Sequence, residues 1–210
     1  MNDKCKYISE QLDLMFPDAH CELIYRNAFE LLCAVALSAQ TTDIAVNRVT
    51  PKLFATFPDV YSMARADIID IQALIKSIGL YRNKANNLKN MAIDIVEKFN
   101  GIVPDNHQDL TSLSGVGNKT ASVVLAEFYH FPTFAVDTHV SRIAKRLGLA
   151  KEKDGPDLIS LKLRRKFDRH LWIKLHHQMI FFGRYKCHAR KPECCACPFY
   201  SMCKELNKSY

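Results

Sequence analysis

Apolar side chains recur along this chain at intervals of three and four, and alternating runs are few. That spacing belongs to amphipathic helices, so an all-α protein is predicted. The clearest case is Ala85, Leu88, Ala92, Ile95 and Phe99, which share one helical face and are followed by Asn100-Gly101 as a stop signal and Pro104 just beyond. The same pattern predicts helices around residues 29–39, 47–57, 67–78, 119–129, 138–147, 158–167 and 171–182, joined by short connections. No low-complexity segment or fixed-period repeat appears, which removes solenoid architectures.

With 210 residues the chain is long enough for one or two domains with buried cores, and 48% hydrophobic and 24% charged residues are ordinary globular usage. The longest apolar run, residues 31–37, is too short to span a bilayer, and the first residues lack a signal-peptide apolar stretch. A cytoplasmic protein with no membrane partner is expected. Charge changes the picture more. Residues 1–100 hold 11 Lys+Arg against 12 Asp+Glu and residues 101–210 hold 18 against 10, so the net +7 divides into −1 and +8. A basic excess confined to one half fits a polyphosphate binder, because each neutralised phosphate releases counterions; a solvated basic face is the plainer alternative.

Two stretches carry candidate chemistry. In residues 113–121, Leu-Ser-Gly-Val-Gly-Asn-Lys-Thr-Ala, a tight turn joins two helical patterns. Gly115 and Gly117 are expected to permit positive φ and close backbone approach, and the next helix starts with unpaired N–H groups that can grip a phosphate. An ordinary glycine-capped helical turn is the alternative. The second stretch is Cys187-x6-Cys194-x2-Cys197-x5-Cys203. Zinc sites usually pair close knuckles, whereas one close pair flanked by wide gaps suits a cubane iron–sulfur cluster, with zinc the competing reading. Cys195 leaves only one residue before Cys197 and is read as a non-ligand, and Cys5, Cys21 and Cys33 as small buried apolar residues.

Together with Leu31 to Asp43 (LLCAVALSAQTTD), Ile78-Gly79-Leu80-Tyr81 and Val136-Asp137-Thr138-His139-Val140-Ser141-Arg142, these stretches make the chain resemble the endonuclease III family of helix-hairpin-helix DNA glycosylases over nearly its full length. The resemblance implies two helical domains: a six-helix domain spanning residues 22–132 with the hairpin, and an iron–sulfur cluster domain from residues 1–21 and 133–210. A DNA-binding cleft would lie between them. It implies one 4Fe-4S cluster on Cys187, Cys194, Cys197 and Cys203. The partner would be double-stranded DNA with damaged bases or abasic sites, bound by a monomer and placing the protein at the nucleoid.

The same resemblance puts the catalytic lysine at Lys119 and the catalytic aspartate at Asp137. An amine attacking sugar C1′ displaces the base and leaves an iminium, while a carboxylate stabilises the charge developing on the sugar; β-elimination then cuts the strand 3′. Oxidised pyrimidines are the implied substrates. A lysine of ordinary pKa, about 10.4, is neutral only about 4 times in 10,000 near pH 7, so a lowered pKa or a proton acceptor is needed. Plainer alternatives exist: Lys119 as a phosphate contact, Asp137 as the N-cap of the next helix and His139 as a polar helix residue. Gln40 would fill the space left by an extruded nucleotide and Leu80 would wedge the opposite strand. Against this, Gln40 could merely close a helix, and Gly79-Leu80 could be a Schellman ending with Gly at C′. Gly115, Gly117, Arg190 and Lys191 would contact phosphates. Ser114 stands where the family usually has Pro, Asn118 where Arg is typical, and Glu193 where a basic residue is frequent. These departures bear on phosphate affinity more than on the reaction.

Overall fold

The computed structural model describes residues 1–205, and among them every regular element is helical. The chain divides into two compact units, one from Glu22 to Phe131 and one combining Met1–Cys21 with the chain from Pro132 onward.

The contiguous unit holds α2 (Ala28–Leu37), α3 (Asp43–Thr56), α4 (Val60–Arg65), α5 (Ile68–Ile75), α6 (Tyr81–Phe99), α7 (His107–Thr111) and α8 (Asn118–Glu127). That is seven helical segments against the six expected, with α4 and α7 only six and five residues long. The other unit holds α1 (Asp3–Met15), α9 (Thr138–Arg146), α10 (Pro156–Lys166) and α11 (Trp172–Tyr185). The sequence pattern left α1, α4 and α7 unpredicted.

Helix starts follow the chemistry of orphan N–H groups. Asn2, Asn27, Thr42, Asp67, Asn106 and Asp137 each accept a backbone N–H from the first turn they precede, and Asp59 with Ser62 forms a reciprocal capping box. The end of α6 matches its stop signal: Asn100 and Gly101 both take positive φ, 52° and 81°. A Cβ at Gly101 would push the Tyr61 ring aside and be strained at this positive φ, so glycine suits the position.

In the contiguous unit, α6 lies against α2, α4 and α5, burying Ala85, Leu88, Met91, Ala92 and Ile95. In the other unit, Ile8 and Leu12 of α1 join Val140, Ile143, Ile159, Leu163, Met179, Phe182 and Phe199 in one core. Each fully buried side chain of this size contributes about 1.5–3 kcal/mol, so α1 is a structural part of that unit. Among the described residues no helix is long and apolar enough to cross a membrane.

Candidate active site

The hairpin is formed by α7, residues 112–117 and α8. Leu113 and Val116 point inward and are buried, while Gly115, Gly117, Asn118 and Lys119 are exposed. The two glycines differ. Gly115 has φ +76° and presses on α6, where a Cβ would fall 2.8 Å from Asn87 Cβ. Gly117 is a correction to the expected positive φ: it is extended, φ −98°, and a Cβ there would meet nothing within 4 Å. The protein itself leaves room for a side chain at this position. Gly117 is the N-cap of α8 and has no side chain to offer its first N–H groups, and Lys119 lies in the first turn of this ten-residue helix.

Ser114 explains how this chain does without a proline. Its backbone N–H and hydroxyl both donate to Asp94 Oδ2 of α6, at 2.9 and 2.7 Å, and Asp94 Oδ1 pairs with Lys98 at 2.6 Å. Proline would stiffen the turn through its ring but could donate neither bond. Burial pushes the Asp94 carboxyl up, yet the bonds from Lys98 and Ser114 outweigh it and hold the group below its ordinary range.

Gln40 and Leu80 are both exposed and both left-handed, with φ of 55° and 60°. The Schellman alternative for Gly79-Leu80 is not what forms: the left-handed residue is Leu80 itself, 60% exposed, and it starts α6 as N-cap. A β-carbon in this region costs about 1–2 kcal/mol, and a solvent-facing leucine regains little of that by packing. The Gln40 turn rests on a residue that sequence reasoning missed. Lys84 is only 7% exposed, and its Nζ donates to Leu37 O at 2.9 Å and Thr41 Oγ1 at 2.7 Å. Burial lowers its pKa from the ordinary lysine value.

In the other unit, Asp137 is half-buried and caps α9, its Oδ1 accepting the Val140 N–H at 2.8 Å. Oδ2 has no hydrogen-bond partner among the described residues, so capping leaves one oxygen for other work. His139 is held by Arg142, whose Nη2 lies 3.2 Å from His139 Nδ1 and donates to Gly183 O at 2.8 Å. Desolvation lowers the His139 imidazole, against the raising field of Asp137, which fits a neutral ring accepting from Arg142. The plainer reading of His139 agrees with this.

Cys187, Cys194, Cys197 and Cys203 line one small pocket, walled by Phe182, Pro192, Tyr200 and Arg146. Cys195 is exposed and takes no part in that wall. Among the described residues no three His, Cys, Asp or Glu side chains gather closely enough for a single ion. Four cysteines lining one pocket are a set of candidate metal ligands. Burial raises the Cys187 and Cys197 thiols, so thiolates here need positive charge close by. Part of it is present: Arg146 donates to Cys187 Sγ at 3.2 Å and His188 O at 2.7 Å. Arg190 and Lys191 stand exposed on the loop between the first two cysteines, and Glu193 pairs with Lys186 at 2.9 Å.

Comparison with known proteins gives the family. Residues 33–169 match the HhH-GPD superfamily of base excision DNA repair proteins. Endonuclease III of Bacillus subtilis (strain 168) is 45% identical over 203 residues, covering 97% of this chain and 93% of its own. The chain belongs to the endonuclease III family. Two solved endonuclease III–DNA complexes, a trapped covalent intermediate with an estranged adenine and a non-covalent complex, superpose with a TM-score of 0.94 at 43% identity, covering 98% of this chain and 97% of theirs. As an endonuclease III family member the chain is a base-excision-repair DNA glycosylase and AP lyase acting on damaged double-stranded DNA.

Proposed function

We propose that Lys119 and Asp137 carry the reaction of this endonuclease III relative, with oxidised pyrimidines and abasic sites as substrates. The observation that supports it best is Lys119 standing exposed in the first turn of α8, two residues after an open Gly117 that serves as the N-cap. Backbone N–H groups there bind a phosphate of the damaged strand, bringing the Lys119 amine to the sugar. The neutral amine forms a bond to C1′ as the bond to the base breaks, and the base leaves with the bonding electron pair and takes up a proton. Asp137 stabilises the positive charge developing on the sugar through the oxygen not engaged in capping. The bound amine then loses a proton, the C1′–O4′ ring bond breaks with O4′ taking the electron pair and a proton, and the nitrogen lone pair forms the N=C1′ bond of the iminium. The iminium acidifies C2′, a base removes that proton, and the C3′–O bond breaks with the 3′ phosphate as leaving group.

Gln40 fills the space of the extruded nucleotide and Leu80 wedges the opposite strand, with Gly115, Gly117, Arg190 and Lys191 on phosphates. Cys187, Cys194, Cys197 and Cys203 would hold one 4Fe-4S cluster, which would tie the loop carrying Arg190 and Lys191 to the core and supply positive charge for four thiolates. The protein works as a monomer in the cytoplasm at the nucleoid, and the two units divide as residues 22–132 and residues 1–21 with 133–210.

The test is borohydride reduction in the presence of an abasic-site duplex. Wild-type protein is expected to give a covalent enzyme–DNA adduct, and Lys119→Ala none. An unchanged adduct from Lys119→Ala would move the nucleophile elsewhere. The absence of any adduct from the wild-type protein would leave only a hydrolytic glycosylase or a non-catalytic DNA binder.

A further inference from the structure

Lys84 is a buried cation that the proposed chemistry does not use. Its aliphatic stem runs inward from α6, and among the described residues no carboxylate pairs with its ammonium group. Holding a charge in such a place without an ion partner is expensive, and a methionine would fill the space with no charge to desolvate. The ammonium is held instead by two oxygens that bracket one turn. Leu37 O belongs to the last residue of α2, where the helix dipole is negative and carbonyls lack helical partners. Thr41 Oγ1 lies on the far side of the turn closed by the Thr41 N–H donating to Ser38 O at 3.1 Å. Between these anchors sits Gln40, exposed and left-handed.

The same lysine is tied to the second strained residue through the backbone, since its N–H donates to Leu80 O at 3.0 Å in the first turn of α6. Left-handed non-glycine residues persist only where surrounding contacts over-determine them. Here one residue holds the chain on either side of Gln40 through its side chain and Leu80 itself through its backbone.

We propose that Lys84 is the positioning residue that locks the Gln40 turn to the Leu80 end of α6, so that the two side chains enter a DNA duplex in fixed register. This rests on the reading of Gln40 and Leu80 given above and adds the element that couples them. Lys84 touches neither the sugar nor the base. Its effect on DNA runs through Gln40, which distinguishes this role from general support of the fold.

A double-mutant cycle on the full-length, metal-loaded protein tests it. The probe is a duplex carrying a tetrahydrofuran abasic analogue opposite 2-aminopurine, with Kd and 2-aminopurine fluorescence measured. Lys84→Met is expected to weaken binding about tenfold and to remove the fluorescence change that accompanies Gln40 insertion, yet to weaken it less than about twofold in a Gln40→Ala background. Equal loss in both backgrounds overturns the proposal. Should Lys84→Met fail to fold, Thr41→Val takes its place: it keeps the lysine and removes one oxygen anchor, with a loss of about threefold expected that disappears in Gln40→Ala. If the Thr41→Val loss persists there, the proposal is likewise overturned. A Gln40→Ala protein that matches wild type in both Kd and fluorescence overturns the insertion reading and this inference with it, a result distinct from additivity.

Discussion

Removing the Asp94 carboxylate separates the hairpin's anchoring from its chemistry. Asp94→Ala takes two hydrogen bonds from Ser114 and one ion pair from Lys98. Bonds to a charged acceptor contribute about 1.5–3 kcal/mol each, reduced here because the Asp94 side chain retains 16% exposure and water replaces part of the loss. The Lys98 side chain is half exposed, and that i,i+4 pair adds only about 0.3–0.5 kcal/mol. The sum is about 3 kcal/mol, which for a chain of this size lowers Tm by about 6–12 °C. The carboxyl is held below its ordinary range, so its contribution is full above about pH 4 and is lost as pH falls through the lower folded value. Thermal unfolding at pH 7 reads the stability, and titration with an undamaged duplex over a salt series reads the hairpin. A loosened hairpin gives up about one phosphate contact, seen as a shallower salt dependence and weaker binding. A Tm within about 2 °C of wild type and an unchanged salt slope would refute the anchoring argument.

Leu80→Gly relieves about 1–2 kcal/mol of left-handed strain while adding about 0.5–1 kcal/mol of chain entropy, so Tm should hold or rise slightly as excision from duplex DNA falls; a marked drop in Tm would mean that Leu80 supports the fold. Cys194→Ser should lose the visible absorbance of an iron–sulfur protein and Cys195→Ser should keep it, with metal analysis of the wild type giving about four iron atoms per chain, whereas a single zinc would overturn the cluster assignment. His139 is depressed by burial, so below about pH 6.5 the unfolded chain takes up a proton that the folded one resists and stability declines with acidity. In His139→Gln the fall in Tm between pH 7.5 and 5.5 should be smaller than in wild type, and equal falls would assign that slope to other groups.

What could be read from the chain depended on how local the determining physics was. The helix ending at Phe99, its Asn-Gly stop and the hairpin glycines follow from neighbours along the sequence, and their helices appear with ends displaced by a few residues. The short α4 and α7 leave too few apolar positions for a period to emerge, and in α1 the spacing of Cys5, Ile8 and Leu12 was there to be seen but lies among polar residues. Gly117 shows the opposite limit: a glycine suggests positive φ, but only coordinates distinguish a turn requirement from space left open. Lys84 and Asp94 were invisible because each acts across more than 15 positions of chain, and a lysine on an amphipathic helix reads as solvated until its burial is known.

Building one unit from segments on either side of the other sets an order on synthesis. Residues 22–131 emerge from the ribosome as a continuous stretch and can collapse while translation continues, whereas Ile8 and Leu12 have no lasting partners until α9, α10 and α11 have been made. Helix α1 leaves the exit tunnel before its partners and docks only after them, so its apolar stripe stays open to chaperones while the intervening unit is made. Maturation of the cysteine loop follows later still, since Cys203 lies beyond α11 in the chain.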